Sequence, residues 1–153
     1  MSILSWQSLI LRGTNLINPF YNDKKLSHGM TYGCGSHGYD VRIAESFELG
    51  PRSHRLASTI ERFNMPTDLR AVVHDKSTWR RQGISVGNTV LEAGWAGHLT
   101  LEINNFGDNV IEFITGMPIA QIAFETLDYP TERPYVGKYQ NAKPGPQRAI
   151  FER

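Results

Sequence analysis

Leu99-Thr100-Leu101-Glu102-Ile103-Asn104 alternates apolar and polar side chains at every step, the period of a half-buried β-strand. Leu99, Leu101 and Ile103 share one face, while Thr100, Glu102 and Asn104 share the other. Similar short runs lie on both sides of it: Tyr39 to Phe47, Ser58 to Phe63, Leu69 to His74, Ile84 to Val86, Val110 to Ile114 and Ile119 to Thr126. Good turn formers separate them, among them Pro51, Asn64-Met65-Pro66, Gly94, Gly97, Gly107-Asp108-Asn109 and Gly116-Met117-Pro118. Many short strands at close spacing with few helices predict a mainly β fold, a barrel or a sandwich. A short helix is expected over Ser5 to Arg12, with Trp6, Leu9 and Ile10 able to face a core. Asn18-Pro19 and the glycine-rich polar stretch Asn22 to Gly38 read as loop.

A chain of 153 residues is most simply one domain with a real core. Sixteen basic and fifteen acidic residues leave a net charge of +1, so no bulk attraction to a nucleic acid polymer or a membrane is expected. Ser2 to Leu11 is too short and interrupted for a membrane span, and it lacks the pattern of a signal peptide. Cys34 is the only cysteine, which excludes an internal disulfide and fits a reducing cytosol. From Tyr129 to Arg153 the composition shifts to four prolines, several cations and few aliphatic residues. Alone, that stretch cannot bury enough apolar surface to offset its ordering entropy. It reads as a flexible tail, or as an arm that orders on a ligand or a neighbouring subunit.

Common catalytic motifs are missing. There is no Cys-x-x-Cys to complete a zinc deaminase site, no Walker loop, and no Gly-x-Ser-x-Gly elbow. The five histidines show no ligand spacing and read as surface or loop residues. Carboxylates, hydroxyls and cations remain. Ser77 and Arg81, four apart in Lys76-Ser77-Thr78-Trp79-Arg80-Arg81-Gln82-Gly83, would project from one face of a helical turn. Glu102 on its strand supplies a carboxylate that such a pair could assist in proton transfer. Read plainly, Ser77 is a helix cap, Arg81 a surface cation and Glu102 a solvated strand residue.

Four ordered blocks resemble the metal-cofactor-independent dCTP deaminases, which share a fold with the trimeric dUTPases. They are Tyr32-Gly33-Cys34-Gly35-Ser36-His37-Gly38-Tyr39-Asp40-Val41-Arg42, the segment Lys76 to Gly83, the segment Leu91 to Glu102, and Gly116 to Ile122 followed by Gly137-Lys138-Tyr139-Gln140. The resemblance implies a homotrimeric, distorted jelly-roll β-barrel over residues 1–128, with 129–153 as a C-terminal arm closing over the nucleotide. It implies attack of water on C4 of dCTP to give dUTP and ammonia, supporting pyrimidine deoxynucleotide synthesis. Glu102 would be the proton shuttle, Ser77 would position the water, and Arg81 would orient the carboxylate. An arginine beside a carboxylate favours its charged form and burial favours its neutral form, and a shuttle needs both accessible. Substrate contacts would come from Lys76, Thr78, Glu92, Thr100, Leu101, Gln121, Tyr135 and Lys138. Mg²⁺ would arrive on the substrate's phosphates rather than in a protein cage. Trp95, flanked by Gly94 and Gly97, reads as a packing anchor before a base-stacking platform.

The sequence also departs from that family. Ala142 stands where the family's tail usually has a nucleotide-contacting glutamine, Pro144-Gly145-Pro146 replaces the usual ending, and Gly87-Asn88-Thr89-Val90 is unusual around the base. Two alternatives are a dUTPase or bifunctional enzyme, and a non-catalytic nucleotide-binding regulator. Against hydrolysis, Glu92 occupies the position of the superfamily's water-activating aspartate. Misplacing that water by ~1 Å costs on the order of 100-fold.

Overall fold

The computed structural model describes residues 1–153. Its strands are β1 (Ile17–Asn18), β2 (Lys25–Ser27), β3 (Met30–Cys34), β4 (Tyr39–Arg42), β5 (Phe47–Leu49), β6 (Ser53–Asn64), β7 (Leu69–Asp75), β8 (Ile84–Val86), β9 (Val90–Leu91), β10 (Ala96–Asn105), β11 (Ile111–Phe113) and β12 (Pro118–Thr126). Two short helices, α1 (Trp6–Arg12) and α2 (Ser77–Arg80), complete the regular structure. A four-stranded sheet runs β1-β6-β10-β8, a six-stranded sheet runs β2-β3-β4-β12-β7-β9, and β5 pairs with β11.

The mainly β expectation holds, but the expected barrel is corrected, because the strands do not close into one. Strands β1 and β8 end the first sheet and β2 and β9 end the second, with no pairing between those edges. The core fills the space between the sheets. Leu99, Leu101 and Ile103 are buried in it together with Tyr39, Phe63, Phe113 and Phe124. The alternation read from β10 therefore points its apolar face inward and leaves Thr100, Glu102 and Asn104 half-buried on the other side.

Ion pairing joins the two sheets. Arg42 on β4 donates to the carboxylate of Glu61 on β6 from its Nε at 2.8 Å and from its backbone N–H at 2.9 Å. Glu61 is wholly buried, and burial pushes its carboxyl above the ordinary range against the opposing pull of Arg42. The Arg42 guanidinium also lies over the rings of Tyr32 and Tyr21, 4.5 and 5.3 Å from their centroids.

Several local readings are corrected. Residues 22–38 are not all loop: β2 and β3 form a hairpin through His28-Gly29, both with positive φ (50° and 74°), as a type I′ turn requires. The run Tyr39 to Phe47 breaks after Arg42, where the chain leaves the six-stranded sheet, bridges to Thr59 of β6 at Ile43 and pairs again at β5. Trp6 does not enter the core; it is 42% exposed and donates its indole N–H to the Asn22 carbonyl at 2.8 Å. Leu9 carries the buried face of α1. No helix is long and apolar enough to cross a membrane.

Arg12, at the end of α1, chelates Asp68 in the turn before β7 at 2.7 and 3.3 Å. That hydrogen bond holds the Asp68 carboxyl below its ordinary value of 3.8. A lowered carboxyl contributes stability above the unfolded value and loses it as pH falls through the folded one. Arg12→Met is expected to lower the melting temperature by roughly 1–4 °C at neutral pH. At a pH acid enough to protonate Asp68 in both states, the two proteins should melt together in parallel thermal scans.

Candidate active site

The polar face of β10 forms the floor of a cavity of about 450 Å³. Thr100 and Glu102 line it from β10, Leu56 and His54 from β6, and Thr89 to Glu92 from β9 and the turn before it. Trp95, Leu99, Tyr135 and Tyr139 add apolar wall. Glu102 is half-buried, and its Oε2 accepts a hydrogen bond from the Thr89 hydroxyl at 2.9 Å. No three His, Cys, Asp or Glu side chains gather as a metal site anywhere in the chain.

The sequence-derived residues fall into separate groups. Glu102, Thr100, Glu92 and Tyr135 line the cavity together. Leu101 points the other way into the core, at 1% exposure, as strand alternation demands. Ser77, Thr78 and Arg81 are exposed on or beside α2, with no side-chain hydrogen bond or ion pair within the chain and no share in the cavity. The expected helical turn is there: the Arg81 N–H donates to the Ser77 carbonyl at 3.1 Å. The expected cap is not, since the residue preceding the first turn is Lys76. Lys76 and Gln121 meet each other through Asp40, a buried carboxylate bound by Lys76 at 2.8 Å, Gln121 at 3.3 Å and Lys24 at 3.3 Å. Lys138 sits outside the cavity, 3.9 Å from Glu152.

The residues after Tyr129 lie against this site. Gln140 accepts from the Ala96 N–H through Oε1 at 2.8 Å and donates through Nε2 to the carbonyls of Gly94 and Tyr135. The Trp95 indole donates to the Tyr139 carbonyl at 2.8 Å, so the tryptophan anchors packing and walls the cavity at once. Ala142 pairs in parallel with Gly97, and its carbonyl accepts from His98. The glycines make this approach possible. A Cβ on Gly97 would stand 2.6 Å from the Ala142 nitrogen, and a Cβ on Gly94 would stand 2.5 Å from Pro134. Gln147 and Ala149 complete the wall, and the Gln147 N–H donates to the Thr100 hydroxyl at 2.9 Å.

Sequence reading missed some of these lining residues. His54 and His98 are strand residues lining the cavity; His54 is exposed, as a surface reading expects, and His98 is half-buried. For His98 a signal existed, since it continues the Thr100 and Glu102 face of β10 by the same period. His54 reaches the site only through the pairing of β6 with β10, where it opposes Asn104.

The arrangement of sheets is that of the dUTPase fold. Native EIAV dUTPase superposes with a TM-score of 0.55 at 19% identity, covering 65% of this chain and 82% of that one. The G164S mutant of Staphylococcus bacteriophage 80alpha dUTPase with dUpNHpp gives a TM-score of 0.58 at 14% identity, covering 81% and 92%. Within that fold the sequence is more specific. The model of dCTP deaminase-like proteins matches residues 16–127. The dCTP deaminase of Campylobacter concisus is 32% identical over 168 aligned positions, 89% of this chain and 90% of the relative. That of Roseiflexus castenholzii is 30% identical over 168 positions, 89% and 91%. The chain belongs to the dCTP deaminase-like family.

Proposed function

We propose that this protein hydrolyses the C4–amine bond of dCTP, giving dUTP and ammonia. The observation that carries the reading is Glu102, a single half-buried carboxylate at the floor of a nucleoside-sized cavity with apolar walls. Water adds to C4 as Glu102 takes its proton; N3 receives a proton; the tetrahedral carbon then expels the amine, protonated on departure. Every atom balances as dCTP plus water.

Ser77 and Arg81 complete this site from a neighbouring copy in a homotrimer. Their support is negative space within one chain: both are exposed and unpartnered, and Glu102 meets neither. On the same reading Thr78 joins the triphosphate contacts, and Lys138 and Tyr135 approach them from residues 129–153 as that arm closes. Lys76 keeps two ammonium protons beyond the one it gives Asp40. Gln121 supports Lys76 through the same aspartate, Thr100 and the backbone at Leu101 shape the base site, and Glu92 takes the sugar end. Mg²⁺ enters as part of the substrate, on its phosphates, keeping much of its water. The buried free thiol of Cys34 suits a reducing cytosol.

Two assays test this. The first incubates the protein with Mg²⁺ and dCTP, dCMP or dUTP and resolves ammonia from pyrophosphate. Ammonia with dUTP is expected; pyrophosphate with dUMP would make Glu92 a hydrolytic base, and tight binding without turnover would make the protein a regulator. The second mixes inactive Glu102→Gln and Arg81→Ala chains after co-refolding. Sites shared between copies would regain about a quarter of parental activity, since random assembly pairs an intact glutamate with an intact arginine that often. No recovery would place both groups in one chain.

A further inference from the structure

We infer that Thr89 is a positioning residue that holds Glu102 in one orientation through both of its protonation states. The inference rests on the reading of Glu102 as the proton shuttle. Its basis is the turn Gly87-Asn88-Thr89, which grips Glu102 twice. The Gly87 N–H donates to the Glu102 carbonyl at 2.9 Å, and the Thr89 hydroxyl donates to Glu102 Oε2 at 2.9 Å. The turn is itself fixed: the Thr89 N–H donates to the Gly87 carbonyl at 2.9 Å, and the Thr89 carbonyl accepts from Val73 on β7 at 3.0 Å.

Gly87 is what lets the carboxylate lie this close. A Cβ there would stand 3.0 Å from Glu102 Oε2 and 3.4 Å from Glu102 Cβ. With Oε2 occupied by Thr89, Oε1 is the oxygen left for water and base.

A hydroxyl suits a shuttle better than a cation does. An arginine carries a full charge, so it favours the ionised carboxylate over the neutral one. A hydroxyl donates without adding a charge. When Glu102 is ionised, Thr89 donates to Oε2. When Oε1 carries the proton taken from water, Oε2 remains an acceptor and Thr89 goes on donating to it. Neither state strands an unpaired group, and the carboxyl need not rotate between half-reactions.

The test compares Thr89→Val, Thr89→Ser and Glu102→Gln in the full chain with dCTP and Mg²⁺. Valine keeps the shape and removes the hydroxyl; serine keeps the hydroxyl. Thr89→Val is expected to lower kcat about 100-fold with KM within about twofold, the pattern of lost alignment rather than lost binding. Thr89→Ser is expected to restore kcat to within about fivefold of the parent, because the donor returns. The inference is overturned if Glu102→Gln is inactive while Thr89→Val keeps its kcat, if serine fares no better than valine, or if the loss lies in KM. A collapse of the melting temperature in Thr89→Val would make the residue structural and overturn it too. Full activity in Glu102→Gln would instead remove the shuttle reading, and this inference with it.

Discussion

Glu102→Gln is expected to slow ammonia release from dCTP by about 10²–10⁴-fold, the usual worth of a positioned acid–base group. Glutamine has the same length and can still accept from Thr89, whose hydroxyl lies 2.9 Å from Oε2 in the parent. The cavity keeps its shape, so nucleotide affinity measured by calorimetry should stay within a few-fold of the parent. What the amide cannot do is take a proton from water and return it to the leaving amine. Glu92→Gln serves as the comparison, because Glu92 lines the same cavity from the β9 side. If Glu92→Gln proves the inactive variant and Glu102→Gln turns over normally, the wrong carboxylate has been assigned.

Arg42→Ala has the largest expected effect on stability. It leaves the Glu61 carboxylate wholly buried between two sheets with its cation gone. Removing one partner of a buried pair costs about 3–5 kcal/mol, or roughly 6–20 °C of melting temperature for a domain this size. Glu61 already titrates above its ordinary value of 4.5 because of burial, and losing Arg42 pushes it further up. A raised carboxyl binds its proton better folded than unfolded, so its contribution is complete at low pH and fades as pH climbs through the folded value. The deficit of Arg42→Ala should therefore narrow as pH is lowered toward 4.5, just as that of Arg12→Met narrows when Asp68 takes its proton. The double replacement Arg42→Leu with Glu61→Leu should recover most of the loss, since paired apolar residues need no compensation. Melting curves at two pH values would show whether the clamp or simple packing holds the sheets together.

The alternation from Leu99 to Asn104 was legible because it is local: one strand, one core face, one cavity face. The strand Ile84–Val86 was legible for the same reason, bounded by Gly83 and Gly87. The hairpin through His28 was not, because β2 sits at a sheet edge with Leu26 exposed, so no apolar period marks it. Glu102 stood out by its type and its strand, whereas Thr100 and Glu92 came as substrate contacts only with the family resemblance; all three line the cavity. Within one chain Ser77 and Arg81 stand apart from them, because helical spacing fixes one turn of chain and not what lies opposite it. Composition left open where residues 129–153 would lie. Counted alone they lack apolar surface, but Gln140 and Ala142 satisfy them with backbone partners on the glycine-lined edge of β10.

That edge has a consequence for synthesis. The strands that form the floor of the cavity are translated before Tyr135, Tyr139 and Gln147, which wall it. A ribosome adds roughly 5–20 residues each second, so the floor strands, complete at Asn105, have about a second or more before their wall follows. During that interval the cavity is open along one side, with Trp95 lacking its partner carbonyl at Tyr139. A nascent chain that stalls there would hold the proposed shuttle carboxylate but only part of the nucleotide's enclosure.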